Sequence, residues 1–500
     1  MEIHVPFFQL LFAFLLVILP MIFNILHNLK NAKLPPGPWK LPLIGNLHQL
    51  VGSLPHHSLR NLANEYGPLV HLQLGQVSVV VISSPDMAKE VMKTHDVIFA
   101  YRPNLLAGRI MSYDSTNIAF SPYGNYWRQL RKICVMELLS PGRVQSFRSI
   151  REDDVASLTK TISSSAGSPI NLAEKVFSMI YSITARAAFG EKCKDQEEFM
   201  SLILRSATLA GGFCLGDMYP SVKVLQVISG MKPKLEKLHK EMDKILDNIL
   251  KEHREEKLAA KASDEEASED LVDILLRFQE QGDLEFSLTD NNIKAVILDI
   301  FGAGSETSAA TIEWAMSEML RNPRVMKKAQ AEVRRVFDGK ADVDEKRIQE
   351  LKYLKLVIKE TLRLHPPVPL LLPRECSETC EINGYKIPVK TRVVVNAWAL
   401  GRDPSYWSEA ETFFPERFAD SSIDFKGTNF EYIPFGAGRR ICPGISFAQP
   451  NIELPLAHLL YHFDWKLANG LKREDLDMTE TFGLTARKKL NLILIPIPYK

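Results

Sequence analysis

The stretch Phe435-Gly436-Ala437-Gly438-Arg439-Arg440-Ile441-Cys442-Pro443-Gly444 reads F-x-x-G-x-R-x-C-x-G, a setting unlike that of any other cysteine in the chain. Its glycines let backbone pass close to a flat ligand. Phe435 can pack on that plane, and Arg440 can pair with a carboxylate. A helical pattern follows Gly444, so Cys442 sits just before a helix N-terminus, where free amides and the dipole favour a thiolate. Such a thiolate is the axial ligand that pushes electron density onto haem iron and promotes O–O cleavage. The competing assignment is an inert buried thiol.

A second stretch, Phe301-Gly302-Ala303-Gly304-Ser305-Glu306-Thr307-Ser308, lies inside a long apolar helix pattern. That pattern starts at Asp290, which can cap it, and runs through Ile293, Val296, Ile297, Ile300, Phe301, Ile312 and Met316 to Arg321. Asn322-Pro323 ends it. At about 32 residues it is roughly 48 Å long and should cross the core. Each interior glycine costs about 1 kcal/mol relative to alanine. A core helix accepts this where its backbone lies against something large and flat, or where it is locally distorted. Glu306 and Thr307 then supply a buried acid and a buried hydroxyl. Alternatively, Thr307 bonds back to the Ala303 carbonyl and Glu306 faces solvent. A third pattern, Glu360-x-x-Arg363, puts an acid and a base on one helical face.

These residues must be held by a large body. The chain has 500 residues, with 61 Lys+Arg against 60 Asp+Glu, so it offers no global basic field for nucleic acid. Six dispersed cysteines without a C-x-x-C pair exclude a zinc ribbon and a disulfide framework. Val5 to Leu26 carries no formal charge and is long enough to span the ~30 Å hydrocarbon core. Lys30, Lys33 and Lys40 follow it, so the positive-inside rule puts the body on the cytosolic side. A cleaved signal peptide is the rival, but its apolar region would be shorter. Leu34-Pro35-Pro36-Gly37-Pro38 and Pro42 make a stiff hinge. The predicted organisation is an anchor over 1–29, a basic and proline-rich hinge over 30–45 and a catalytic domain over 46–500. Within that domain Leu69 to Ile82 predicts a β-ribbon turning at Gly75. Leu235 to Leu258 predicts an amphipathic helix, and residues 251–270 an exposed loop.

Taken together, these motifs resemble the cytochrome P-450 superfamily of haem-thiolate monooxygenases in its plant microsomal form, from anchor to C-terminal hairpin. The resemblance implies a mainly α single-domain fold with small β-sheets. Haem b would lie between the long central helix and the helix after the cysteine loop. It implies Cys442 as iron ligand, with Gly444 beside it and Phe435 on the haem plane. Trp127, Arg131, Arg374 and Arg440 would meet the propionates, although Arg374 also reads as an ordinary loop cation. Glu306 and Thr307, in A-G-x-[DE]-T, would deliver protons to iron-bound dioxygen. Glu360, Arg363 and Arg417 of Pro415-Glu416-Arg417-Phe418 would form a buried structural network. The chain departs from the pattern at Ala410, where relatives often carry proline, and at Gln449-Pro450, where a proline inside the helix costs about 3 kcal/mol. Pro443 lacks an N–H, so one amide able to bond the sulfur is missing.

No G-x-G-x-x-G, P-loop or H-E-x-x-H is present, so NADPH must act through a partner, for which the family uses a membrane flavoprotein reductase. Arg128, Lys132 and Arg439 could form its basic docking face, or an ordinary solvated one. Localisation by resemblance is the endoplasmic reticulum membrane. The resemblance places Leu209, Phe213, Ile300, Phe301, Ala303, Val368, Leu372, Phe482 and Leu484 around the substrate. This lining suits a small apolar molecule. Pro35-Pro36-Gly37-Pro38-Trp39-Lys40-Leu41-Pro42 and the run Glu453 to Trp465 resemble plant terpene oxygenases such as premnaspirodiene oxygenase, limonene hydroxylase and casbene oxidase. The expected substrate is a sesquiterpene or diterpene; the alternative is a flavonoid or indole alkaloid. Two other classes compete, a reductase-independent haem-thiolate isomerase or dehydratase and a non-catalytic haem binder. Glu306 and Thr307 argue against both.

Overall fold

The computed structural model describes residues 33–190, 196–211, 214–263, 269–282, 284–340, 342–481 and 483–499. The predicted anchor, Phe213 and Phe482 lie outside the described residues. Among the described residues no helix is long and apolar enough to cross a membrane.

The β-branched run near the N-terminus folds into Leu69–Leu74 (β1) and Val77–Ile82 (β2), an antiparallel hairpin that pairs Leu74 with Val77. It turns at Gly75, whose φ of +60° disfavours any side chain. Arg374–Glu375 (β3) and Arg392–Val395 (β4) complete the sheet in the order β1-β2-β4-β3. β2 runs parallel to β4, so the first hundred residues are stitched to the last third of the chain. This sheet fixes the position of Arg374.

The helices Pro55–Tyr66 (α1), Asn125–Ile133 (α2), Leu172–Phe189 (α3), Met231–Ser263 (α4), Asp290–Arg321 (α5), Lys352–Leu364 (α6) and Ile445–His462 (α7) hold the candidate residues. α5 is the core helix: every residue from Ser308 to Met319 is buried. Thr289, rather than Asp290, caps it, in a reciprocal box with Asn292. Asp290 instead binds Arg254 at 2.6 Å. α5 continues unbroken through Gly302 and Gly304, so the local distortion allowed for in the sequence is absent. A Cβ at either glycine would meet protein atoms only at ordinary contact distances, 3.5 Å or more.

α4 buries the predicted stripe of Leu235, Leu238, Met242, Ile245, Leu246, Ile249 and Leu250. It also corrects the loop expected over 251–270, because the helix runs on to Ser263. Lys, Glu and Ala there are strong helix formers. His253 is buried with its Nε2 2.9 Å from Asp270, which ties the helix end to the next element. α7 contains both Pro450 and Pro455 and remains helical across them.

Glu360 and Arg363 face each other on α6 through two bonds of 2.8 Å, with both side chains fully buried. Glu360 also accepts from Arg417 Nε at 2.9 Å and from the Phe414 amide at 2.8 Å. Arg363 donates to the carbonyls of Ala410 at 2.6 Å and Thr412 at 3.1 Å. The Ala410 position thus contributes a backbone carbonyl, which alanine supplies as well as proline. Removing one partner of such a buried pair strands the other charge. Arg363→Ala is therefore expected to lose about 3–5 kcal/mol of stability, read as a lower midpoint in equilibrium urea unfolding.

Candidate functional site

Cys442 lies two residues before Gly444, the N-cap of α7. Its amide donates to the Phe435 carbonyl at 3.0 Å, closing the loop. At Gly438 (φ +68°) a Cβ would fall 2.2 Å from the Met92 carbonyl oxygen, so only glycine permits this approach. The Gly444 amide donates to Cys442 Sγ at 3.4 Å. Burial pushes the Cys442 thiol up, while that amide and the Arg131 charge pull it down. The helix terminus alone therefore does not favour the free thiolate; a thiol so enclosed sheds its proton on binding a metal.

Four guanidinium groups gather beside this loop. Arg440, buried, donates to the carbonyls of Ala100 at 2.8 Å, Ile118 at 3.1 Å and Ser121 at 2.6 Å. Its guanidinium lies 4.2 Å from the ring of Trp127, whose Nε1 also donates to Ile118 at 3.0 Å. Arg131 binds the Ile441 carbonyl. Arg374 donates to Ala437 at 2.9 Å and lies 3.5 Å from Asp96. The fourth, Arg102, belongs to none of the motifs read from the sequence. It donates to Ala119 at 2.9 Å and to Leu372 and Pro373 at 2.8 Å. Burial lowers the pKa of all four, and repulsion from the other arginines adds to it at Arg102 and at Arg440, which falls to about 9. Burial takes Arg374 to about 10.

Asp299 of α5 is a second residue that sequence reasoning missed. Its carboxylate accepts from the amides of Ile118 at 2.8 Å and Ala119 at 2.9 Å, and from Asn117 Nδ2 at 2.6 Å. Burial pushes it up to about 6, against the pull of those donors and Arg102. It pins the loop that Arg440 and Arg102 hold by its carbonyls.

Further along α5, Ala303 is exposed and Gly304 and Thr307 are half-exposed in an otherwise buried helix. With Ile300 they form one stripe at helical spacing. Across from Gly304 lies Phe447 of α7, 3.5 Å from where a Cβ would stand. Thr307 Oγ1 donates back to Ala303 at 2.7 Å, the alternative bond foreseen in the sequence. Glu306 is buried rather than solvent-facing, with Arg487 3.9 Å away. Burial raises its pKa, opposed by Arg487 and Thr485. Glu306 and Thr307, one residue apart, point about 100° apart around the helix.

The lining candidates divide. Leu209 packs with Leu106, Cys214 and Leu235. At Gly211 a Cβ would fall 2.1 Å from the Leu484 amide, so these two segments meet backbone to backbone. Val368, Leu372 and Leu484 are half-buried and Ile300 is buried. Phe301 turns away from the stripe: it is fully buried against Tyr181, Phe189 and Phe199. One residue of helical phase separates it from Ile300, which corrects its assignment to the lining.

A half-buried cysteine just before a helix that packs on the core helix, beside a cluster of cations, defines a metalloprotein of the haem-thiolate class. The chain belongs to the Cytochrome P450 family, whose sequence profile matches residues 35–494. It is 58% identical to desmethyl-deoxy-podophyllotoxin synthase of Sinopodophyllum hexandrum, over 98% of this chain and 96% of that one. It is 57% identical to premnaspirodiene oxygenase of Hyoscyamus muticus, over 95% and 94%. A zebra fish cytochrome P450 structure with progesterone shares the fold, with a TM-score of 0.77 at 23% identity over 89% of this chain and 100% of that one. The protein is a P450 monooxygenase of plant secondary metabolism. The family uses haem b with O2 and NADPH-derived electrons delivered by a reductase. The residues present fit that group. Four clustered guanidiniums repel one another and suit a ligand with two carboxylates, and the accessible stripe of α5 leaves room on one side.

The state of Asp299 should govern the 117–119 loop. Above pH about 6 the carboxylate is ionised and accepts three N–H bonds. Below that pH it takes a proton and loses acceptor strength. Exchange protection of the Ile118 and Ala119 amides is expected to fall as pH drops through about 6. Asp299→Asn should remove this pH step.

Proposed function

We propose that this monooxygenase oxidises a small apolar plant metabolite, a sesquiterpene or diterpene. The observation that carries this reading is the 57% identity with premnaspirodiene oxygenase along nearly the whole chain. The aliphatic character of Leu209, Ile300, Ala303, Val368, Leu372 and Leu484 supports it. An equally similar relative is named for a podophyllotoxin. That likeness favours a second reading, the same chemistry on a larger oxygenated skeleton such as a lignan. A flavonoid or an indole alkaloid stands beside it, the last supported by 57% identity with a tabersonine 6,7-epoxidase of Catharanthus roseus.

In this proposal Cys442 would hold the haem iron through its sulfur, with Phe435 and Gly444 beside it. Trp127, Arg131, Arg374 and Arg440, joined by Arg102, would hold its propionates. Haem bound there supplies the activation of O2 and the insertion of one oxygen atom into a C–H bond. The protein residues handle protons and water. The Glu306 carboxyl, kept protonated longer by burial, passes a proton toward the stripe, with Arg487 steadying the ionised form. Thr307 Oγ1 leaves the Ala303 carbonyl to relay it. The apolar stripe keeps bulk water from the reacting carbon.

Residues 1–29 anchor the enzyme in the endoplasmic reticulum membrane, and the 30–45 hinge holds the 46–500 body on the cytosolic side. The flavoprotein reductase docks on Arg128, Lys132 and Arg439. Supporting this, the Tyr123 ring lies within 5.8 Å of the Arg128 guanidinium and 6.0 Å of that of Arg439. One face therefore carries cations from both α2 and the cysteine loop.

Titrating the ferric enzyme with terpene hydrocarbons should give a saturable shift of the haem band to shorter wavelength. A shift with lignans, flavonoids or alkaloids alone would select the second reading. Glu306→Gln is expected to lower kcat about 10²-fold or more with that binding titration unchanged.

A further inference from the structure

At the start of α1 the sequence places two adjacent histidines, Pro55-His56-His57. Both reach the same oxygen of a distant carboxylate. His56 Nε2 lies 2.6 Å and His57 Nε2 3.5 Å from Glu480 Oε2. The three donor atoms fall within 4.8 Å of one another. A third imidazole, His365, follows α6 and brings its Nδ1 to 3.9 Å from Glu480 Oε1.

Two of these nitrogens, His57 Nε2 and His365 Nδ1, are buried without a hydrogen-bond partner. Native packing rarely leaves such atoms unexplained. The side chains of His56, Glu480 and His365 are only 5%, 6% and 8% exposed. On its far side His365 Nε2 lies 2.8 Å from the Glu318 carboxylate, and its ring stacks on Trp314 at 4.0 Å. A carboxylate behind an imidazole fixes the tautomer, which leaves a lone pair on Nδ1. That lone pair faces the acceptor oxygens of Glu480. Two acceptors aimed at one point call for a cation between them. The nearest cations, Arg60 and Arg402, lie over Trp398, which both histidine rings contact. Each is within 3.0 Å of Glu411, which shares their charge, while Arg402 also acts through space on Glu480 and His56 without reaching between them.

We propose that His56, His57 and Glu480, with His365 as a fourth donor, bind a zinc-class divalent ion that ties α1 to the C-terminal segment, apart from the cysteine site. Imidazole and carboxylate donors suit Zn2+ far better than Mg2+ or Ca2+. Glu318 is the positioning residue behind His365. The partly exposed His57 gives the ion its way in from solvent.

The test uses the full-length haem-loaded enzyme, stripped with a chelator and then exposed to low micromolar zinc chloride. Bound metal is read by mass spectrometry after gel filtration, and affinity by calorimetry. One zinc per chain and a raised Tm are expected. His57→Gln, at a partly exposed position, should keep the fold and weaken binding roughly tenfold or more, as should Glu318→Gln. Absence of retained zinc would overturn the proposal. So would zinc that survives His57→Gln but is lost with His462→Gln, which would place it at the separate cluster of Asp342, His458 and His462.

Discussion

Positive charge confined away from water is the constraint around which the rest is arranged. Arg102, Arg131, Arg374 and Arg440 crowd one neighbourhood, where Arg102 and Arg440 carry the added cost of the others' charge. The protein offsets this with backbone carbonyls rather than carboxylates. The segment between Ala100 and Ser121 gives up its carbonyls to Arg440 and Arg102, and its amides at Ile118 and Ala119 go to Asp299. Irregular backbone can be buried only if such groups are satisfied. Here side chains from three elements satisfy them, which turns a loop into a fixed wall of the site.

The two buried charge systems differ in a way that separates structure from chemistry. Glu360 is saturated: Arg363, Arg417 and the Phe414 amide fill its acceptor positions. Nothing is left over for a ligand, and its contribution is to hold α6 against the segment from Ala410 to Arg417. The arginine cluster has surplus charge and few carboxylates nearby. A closed network builds a frame, whereas an open one receives a dianionic guest.

Legibility in the sequence followed the range of the interaction. The Glu360–Arg363 pair was readable because its chemistry is packed into a short spacing, and the resemblance singled out Trp127, Arg131 and Arg440, which the structure gathers beside the Cys442 loop. The long extent of α5 was readable from its apolar run. Arg102 and Asp299 were not, because what distinguishes them is a set of backbone partners far away in the chain. The charged end of α4 resembled a loop because a solvated helix and a polar loop share a composition; its burial of His253 against Asp270 is tertiary. Phe301 was misassigned for a finer reason: the run of apolar residues does not reveal which side of a fully buried helix each one faces.

The reach of Arg440 has a consequence for biosynthesis. Its acceptors at Ala100, Ile118 and Ser121 leave the ribosome more than 300 residues before it does. The parallel pairing of β2 with β4 closes over a similar span. A nascent chain therefore has no assembled cradle, however much of its helical body has already collapsed. Contacts this distant form slowly. Haem loading therefore belongs to the last stage of maturation, after the acceptors between Ala100 and Ser121 have met Arg440.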